Sequence, residues 1–145
     1  MKRILVALDF SELTDEVIKQ AKLLTLKFNA KLCLVHADYL LPFLGANQYD
    51  QNLALEAYEV QRKKNKEELQ KLKEELAKEG IDAEIILHEG EIDDAIIKEA
   101  QEFKADLIIL GAHKHGKLYH LFFGNISENI IQKAQCPVMV IPTKN

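Results

Sequence analysis

Apolar residues follow two alternating rhythms along this chain. The runs Ile4–Leu8, Leu32–Val35, Ala83–Leu87, Leu107–Leu110 and Val138–Ile141 are short and nearly unbroken by polar residues. A strand covered on both faces reads this way, because neither face meets water. Between the runs the apolar spacing changes to three and four. Val17, Ile18, Ala21, Leu24 and Phe28 stripe one side of a helix that starts near Ser11–Thr14, where Ser11 or Thr14 is the expected cap. Leu69, Leu72 and Leu76 form the inward stripe of a long helix over Asn52–Glu79, and Gly80 is placed to end it. Gln61–Lys66 in that helix is polar all round, so this turn is expected to stand clear of the core. Ile92, Ala95, Ile96 and Ala100 mark a helix over Glu91–Phe103, and a last helix covers Phe122–Ala134. Tyr39–Asp50, with Pro42 and Gly45, reads as a loop.

Strands alternating with helices predict an α/β fold: a five-stranded parallel sheet with helices on both faces, in one domain over residues 1–145. Ligands of such sheets sit beyond the carboxyl ends of the strands, where the strand order reverses. The residues to watch are therefore those that follow each apolar run.

Composition narrows the classes. The chain has 145 residues, 48% hydrophobic and 29% charged, enough for a buried core and too apolar for a disordered segment. A net charge of −4 gives no general attraction to nucleic acid or to an anionic membrane. No apolar run approaches the roughly 20 residues that span a bilayer. The N-terminal Met1–Asp9 reads as a first strand rather than a leader, so the expected location is cytoplasmic. Cys33, inside an apolar run, reads as a buried thiol; Cys136 before Pro137 belongs to no metal or redox motif. There is no GxSxG and no GxxxxGK[ST], and Asp93 and Asp94 diverge on a helix. No catalytic residue emerges. His113, His115 and His120 crowd one segment, but no cysteine or close carboxylate completes a metal set there.

The segment Gly111–Ser127, GAHKHGKLYHLFFGNIS, follows the fourth apolar run and leads into the last helix. Glycine lets backbone approach a ligand closely, and the free N–H groups of a helix N-terminus attract an anion. The chemistry pointed to is a phosphate-bearing ligand. Gly111 and Gly124 have a plainer use as turn residues, and Asp9, ending the first strand, as a helix cap.

Taken together, these stretches resemble the universal stress protein family, whose nucleotide loop reads Gly, two residues, Gly, nine residues, Gly, then Ser or Thr. Gly111 and Gly124 match the outer glycines, and Ile4–Asp9, Leu34-Val-His36 and Cys136–Ile141 match elsewhere along the chain. The resemblance implies a Rossmann-like sheet with strand order 3-2-1-4-5. It implies an adenine nucleotide, ATP in the first place or ADP or AMP, with Mg2+ as a companion cation. Asp9, with Ala7 before it, would lie beside the adenosine, and the backbone at Ala37 would read the adenine edge. Gly111, Ala112, His113, Gly124, Asn125, Ile126 and Ser127 would hold the phosphates. It further implies a homodimer through Val138–Ile141 and a regulatory, stress-response role, with slow ATP hydrolysis at most. Protein partners are not identified by it. Two positions depart from the pattern: Lys114 replaces the middle glycine and Asn125 the Ser or Thr. The Lys114 ammonium supplies charge to the phosphates, or its stem blocks them. Gly116, two residues on, relieves some of the backbone constraint. The alternative is a relative that binds no nucleotide and acts by dimerisation and protein–protein contact.

Overall fold

The computed structural model describes residues 1–38, 48–112 and 125–142. Its strands form where the apolar runs lie: β1 (Arg3–Ala7), β2 (Lys31–Asp38), β3 (Ala83–Glu89), β4 (Leu107–Ala112) and β5 (Val138–Pro142). They make one sheet in the order β3-β2-β1-β4-β5, and every neighbouring pair is parallel. The helices are α1 (Thr14–Phe28), α2 (Gln48–Lys78), α3 (Ile92–Phe103) and α4 (Asn125–Lys133). Among the described residues no helix is long and apolar enough to cross a membrane.

Alternation along each strand explains why the runs are continuous. Ile4, Val6, Leu32 and Leu34 bury against Val17 and Ala21 of α1 and Leu69 and Leu76 of α2. Leu5, Cys33, Val35 and Ile108 bury on the opposite face with Ile96 and Ala100 of α3 and Ile130 of α4. Both faces are dry, so both sets of positions must be apolar. The Cys33 thiol pays for this position in ionisation: burial, then the nearby Glu84 and Glu99 charges, push it up to about 12.

Several local expectations need correction. Neither Ser11 nor Thr14 caps α1. Leu13 occupies the cap position without a side-chain bond, and Ser11 Oγ instead accepts the Leu13 N–H at 3.2 Å. Phe28, in the last turn of α1, is exposed. Strand β2 continues through His36, Ala37 and Asp38, because β3 pairs with it as far as Asp38 opposite Glu89. Helix α2 starts at Gln48, inside the stretch read as a loop. Its polar turn does not stand clear of the core either, since Asn65 is buried there by hydrogen bonds to β2. Asp93 and Asp94, which diverge on α3, both reach α4: Asn129 Nδ2 donates to Asp93 at 3.1 Å and Lys133 Nζ to Asp94 at 2.9 Å. Gly80 behaves as expected, with a left-handed φ of 79° just past α2.

Candidate functional site

Strand β1 has β2 on one side and β4 on the other, so the chain moves outward to β3 and returns to start β4. The order reverses between β1 and β4, and a crevice opens at their carboxyl ends. A small hollow of about 30 Å³ lies there, walled by Ala7, Asp9, Ile92, Leu110, Gly111 and Ser127 among others. It has room for a water molecule. The described residues thus make a floor.

Asp9 reaches this floor through a bend. The Leu8 N–H still bonds Val35 O at 2.8 Å, as a strand would. Phe10 then takes φ 57°, the left-handed region, which costs a non-glycine residue roughly 1 kcal/mol. Asp9 Oδ1 accepts the Ser11 N–H at 3.0 Å and closes the turn. The carboxylate therefore has a turn-forming task as well as a place in the crevice wall.

Gly111 is not at a turn. It lies in β4, in register with Ile141. A Cβ there would meet Leu13 Cδ1 at 3.1 Å and Val17 Cγ2 at 3.3 Å, so the residue is small because α1 packs directly upon it. Ala112 ends the same strand, opposite Pro142. Across the hollow, Asn125 and Ile126 open α4, and Ser127 follows in its first turn. Ser127 is 7% exposed, and its Oγ has no hydrogen-bond partner among the described residues. An unsatisfied buried hydroxyl costs about 1–3 kcal/mol, and the partial positive charge of a helix N-terminus lies beside it. Such a wall favours an incoming anion or water.

Ala37 is buried within β2, in register with His88 rather than beyond the strand end. Pairing of β1 with β2 stops at Ala7 opposite Val35, two residues short of Ala37. His113, Lys114, Gly116 and Gly124 lie outside the described residues, as do His115 and His120. Among the described residues, Glu91, Asp93 and Asp94 bring carboxylate oxygens within 4.8 Å of one another. Two of the three are already engaged by α4, and the Lys133 hydrogen bond holds the Asp94 carboxyl below its ordinary range.

Sequence reasoning missed a polar cluster beside the crevice. His36 Nδ1 donates to Leu8 O at 2.7 Å, and its ring lies 4.7 Å from that of Phe10. Asn65 Nδ2 lies 2.7 Å from Asp38 Oδ1 and 3.1 Å from His36 Nε2. Further along α2, Arg62 pairs with Glu89 of β3. The signal was present: His36 and Asp38 alternate on one strand face, and Asn65 extends the Leu69, Leu72 and Leu76 stripe by one turn.

Comparison with known proteins adds independent findings. The model of the universal stress protein family matches residues 1–142. Universal stress protein MJ0577 of Methanocaldococcus jannaschii is 27% identical, over 99% of this chain and 96% of its own. A universal stress protein of Thermus aquaticus is 31% identical, over 97% and 98% of the two chains. The solved structure of MJ0577 superposes with a TM-score of 0.81 at 26% identity, covering 99% of this chain and 97% of that one. The Archaeoglobus fulgidus universal stress protein in complex with dAMP superposes at 0.65 with 25% identity, covering 97% and 98%.

Proposed function

The chain belongs to the universal stress protein family, and from that premise we propose that it binds an adenine nucleotide, ATP first among them, in the crevice between β1 and β4. The observation that carries this reading is convergence. Asp9, Gly111 near the end of β4 and Ser127 in the first turn of α4, its hydroxyl without a partner among the described residues, border one hollow at the reversal of strand order. The dAMP complex of the Archaeoglobus relative supports the choice of adenine. The nucleotide lies over the floor, with its adenine toward Ala37, its sugar toward Asp9 and Ala7, and its phosphates toward Gly111, Ala112, Asn125, Ile126 and Ser127. His113, Lys114, Gly116 and Gly124 complete the phosphate side, and Mg2+ accompanies a triphosphate. Binding of this kind suits a regulatory module whose partners read the loaded state.

The second reading is a member that works through protein contact without nucleotide. Lys114 and Asn125, at two positions where the family's loop carries other residues, favour it. A dimer fits either reading, because β5 is an edge strand of apolar Val138–Ile141 that a second copy would cover.

Calorimetric titration with ATP, ADP and AMP, each with and without Mg2+, tests the proposal; absence of heat for all three sinks it in favour of the contact-only reading. With binding established, Ser127→Ala is expected to weaken it about two- to tenfold, the range of one lost hydrogen bond. Lys114→Gly weakens binding where the ammonium serves the phosphates and tightens it where the side chain obstructs them.

A further inference from the structure

Resting on the nucleotide-binding reading, we propose that Asn65 of α2 is a positioning residue for the crevice. It fixes the His36 ring that holds the bend carrying Asp9.

The argument starts from hydrogen accounting. Leu8 O can only accept, so His36 Nδ1, 2.7 Å away, carries the proton. In the neutral ring Nε2 is then an acceptor. Asp38 Oδ1, 3.0 Å from Nε2, is an acceptor as well. In that neutral ring two lone pairs face each other, and Asn65 reconciles them. An imidazolium instead donates its Nε2–H to Asp38 directly as an ion pair, the alternative that nitrogen-15 NMR separates. The single amide nitrogen of Asn65 carries two hydrogens, one for Nε2 at 3.1 Å and one for Oδ1 at 2.7 Å. Gln61 Nε2 donates to Asn65 Oδ1 at 2.9 Å and fixes which way the amide faces. Asn65 and Asp38 are each 6% exposed, so water does not readily replace either bond.

The consequence reaches the site through three residues. The Nδ1–H tautomer holds Leu8 O, and the imidazole seats the Phe10 ring. Phe10 is the strained residue of the bend, and Asp9 lies between it and Leu8. The same strand carries Ala37 between His36 and Asp38. Without the Asn65 amide, the neutral ring satisfies Asp38 by moving its proton to Nε2. Nδ1 then presents a lone pair to Leu8 O, and the contact that holds the bend becomes repulsive. Helix α2 thus sets the geometry of a crevice on the far side of β1.

The test uses the full chain and Asn65→Leu, which keeps the volume and removes both hydrogens. Leu72→Ala, further along the same helix stripe and outside the network, is the control for general destabilisation. Nitrogen-15 NMR of the imidazoles reads the tautomer: the wild-type His36 is expected to carry its proton on Nδ1 alone, and the variant on Nε2. AMP and ATP affinity is expected to fall about tenfold in Asn65→Leu and to stay within about twofold in Leu72→Ala, a difference one misplaced polar contact can produce. Adding Asp38→Asn to Asn65→Leu returns an N–H donor to Nε2, and should restore the tautomer and most of the affinity. Should Asn65→Leu fail to fold, the exposed Gln61→Met frees the amide to turn over and is expected to give a smaller shift of the same kind. A wild-type ring protonated on Nε2, or equal affinity losses in Asn65→Leu and Leu72→Ala, overturns the proposal. If wild-type protein binds no adenine nucleotide, the nucleotide reading falls separately. The positioning claim then stands or falls on whether the Asp9 and Phe10 amide resonances move in Asn65→Leu and not in Leu72→Ala.

Discussion

Replacing Gly111 by alanine tests whether packing, rather than a turn or a ligand, requires the missing side chain. The added Cβ meets Leu13 Cδ1 at 3.1 Å, Leu13 Cβ at 3.3 Å and Val17 Cγ2 at 3.3 Å. Carbon atoms attract best at about 3.5–4.0 Å, so all three contacts fall on the repulsive side. Overpacking of this kind costs about 1–3 kcal/mol. Against it stands the reduced freedom of the unfolded chain when glycine becomes alanine, worth about 0.4–1 kcal/mol in the opposite direction. The two opposing effects leave a net loss between about 0 and 2.6 kcal/mol, about 1.3 kcal/mol at the midpoint. For a chain of this length that lowers the melting temperature by roughly 2–8 °C. Urea unfolding is the assay, and the midpoint should fall while the slope is unchanged. Leu13→Ala removes the tightest of the three contacts and keeps the other two, so Gly111→Ala made in that background should cost less than in the wild type. A stabilising Gly111→Ala in the wild-type background would refute the packing argument.

Three further outcomes follow from the ionisable groups. Cys33 is fully buried with its thiol pushed up to about 12, whereas Cys136 is half-buried. A thiol reagent at mildly alkaline pH should therefore modify Cys136 in the native protein and Cys33 only after unfolding. The folded-state value of Cys33 is raised, so its contribution is fully present below the unfolded value of 9.0 and is lost as pH rises from there toward about 12. Urea midpoints of wild type and Cys33→Ala across that range should converge. Asp106 accepts the Lys2 and Arg3 N–H groups at 2.7 and 2.9 Å, and these bonds hold its carboxyl below the usual range. Its contribution is present above the unfolded carboxylate value, about 3.9. It disappears as pH falls through the lower folded value, so Asp106→Asn should trail wild type at pH 7 and match it in strong acid. A gap that widens on acidification would contradict this assignment.

The sequence by itself determined the elements and their class. Unbroken apolar runs are strands with two dry faces, and the stripes at spacing three and four are the helices that dry them, so both are properties of local segments. The family resemblance supplied the order β3-β2-β1-β4-β5, which periodicity cannot, because a parallel crossover looks alike whichever neighbour it reaches. Only the tertiary structure decided what several individual residues do. Gly111 resembles a ligand-facing turn until α1 is seen to lie on it, and the 3.1 Å contact is made by Leu13, nearly a hundred positions earlier. Asn65 looks solvated among charged neighbours, and is buried only because β2 presents His36 and the Asp38 carboxylate to its amide at the right height. Asp93 and Asp94 acquire a purpose when α4 brings Asn129 and Lys133 to them. Local sequence fixes how each segment folds and which face it buries. Which polar groups must satisfy one another depends on contacts between segments that are far apart in the chain, and the pattern along any one of them carries no record of its partners.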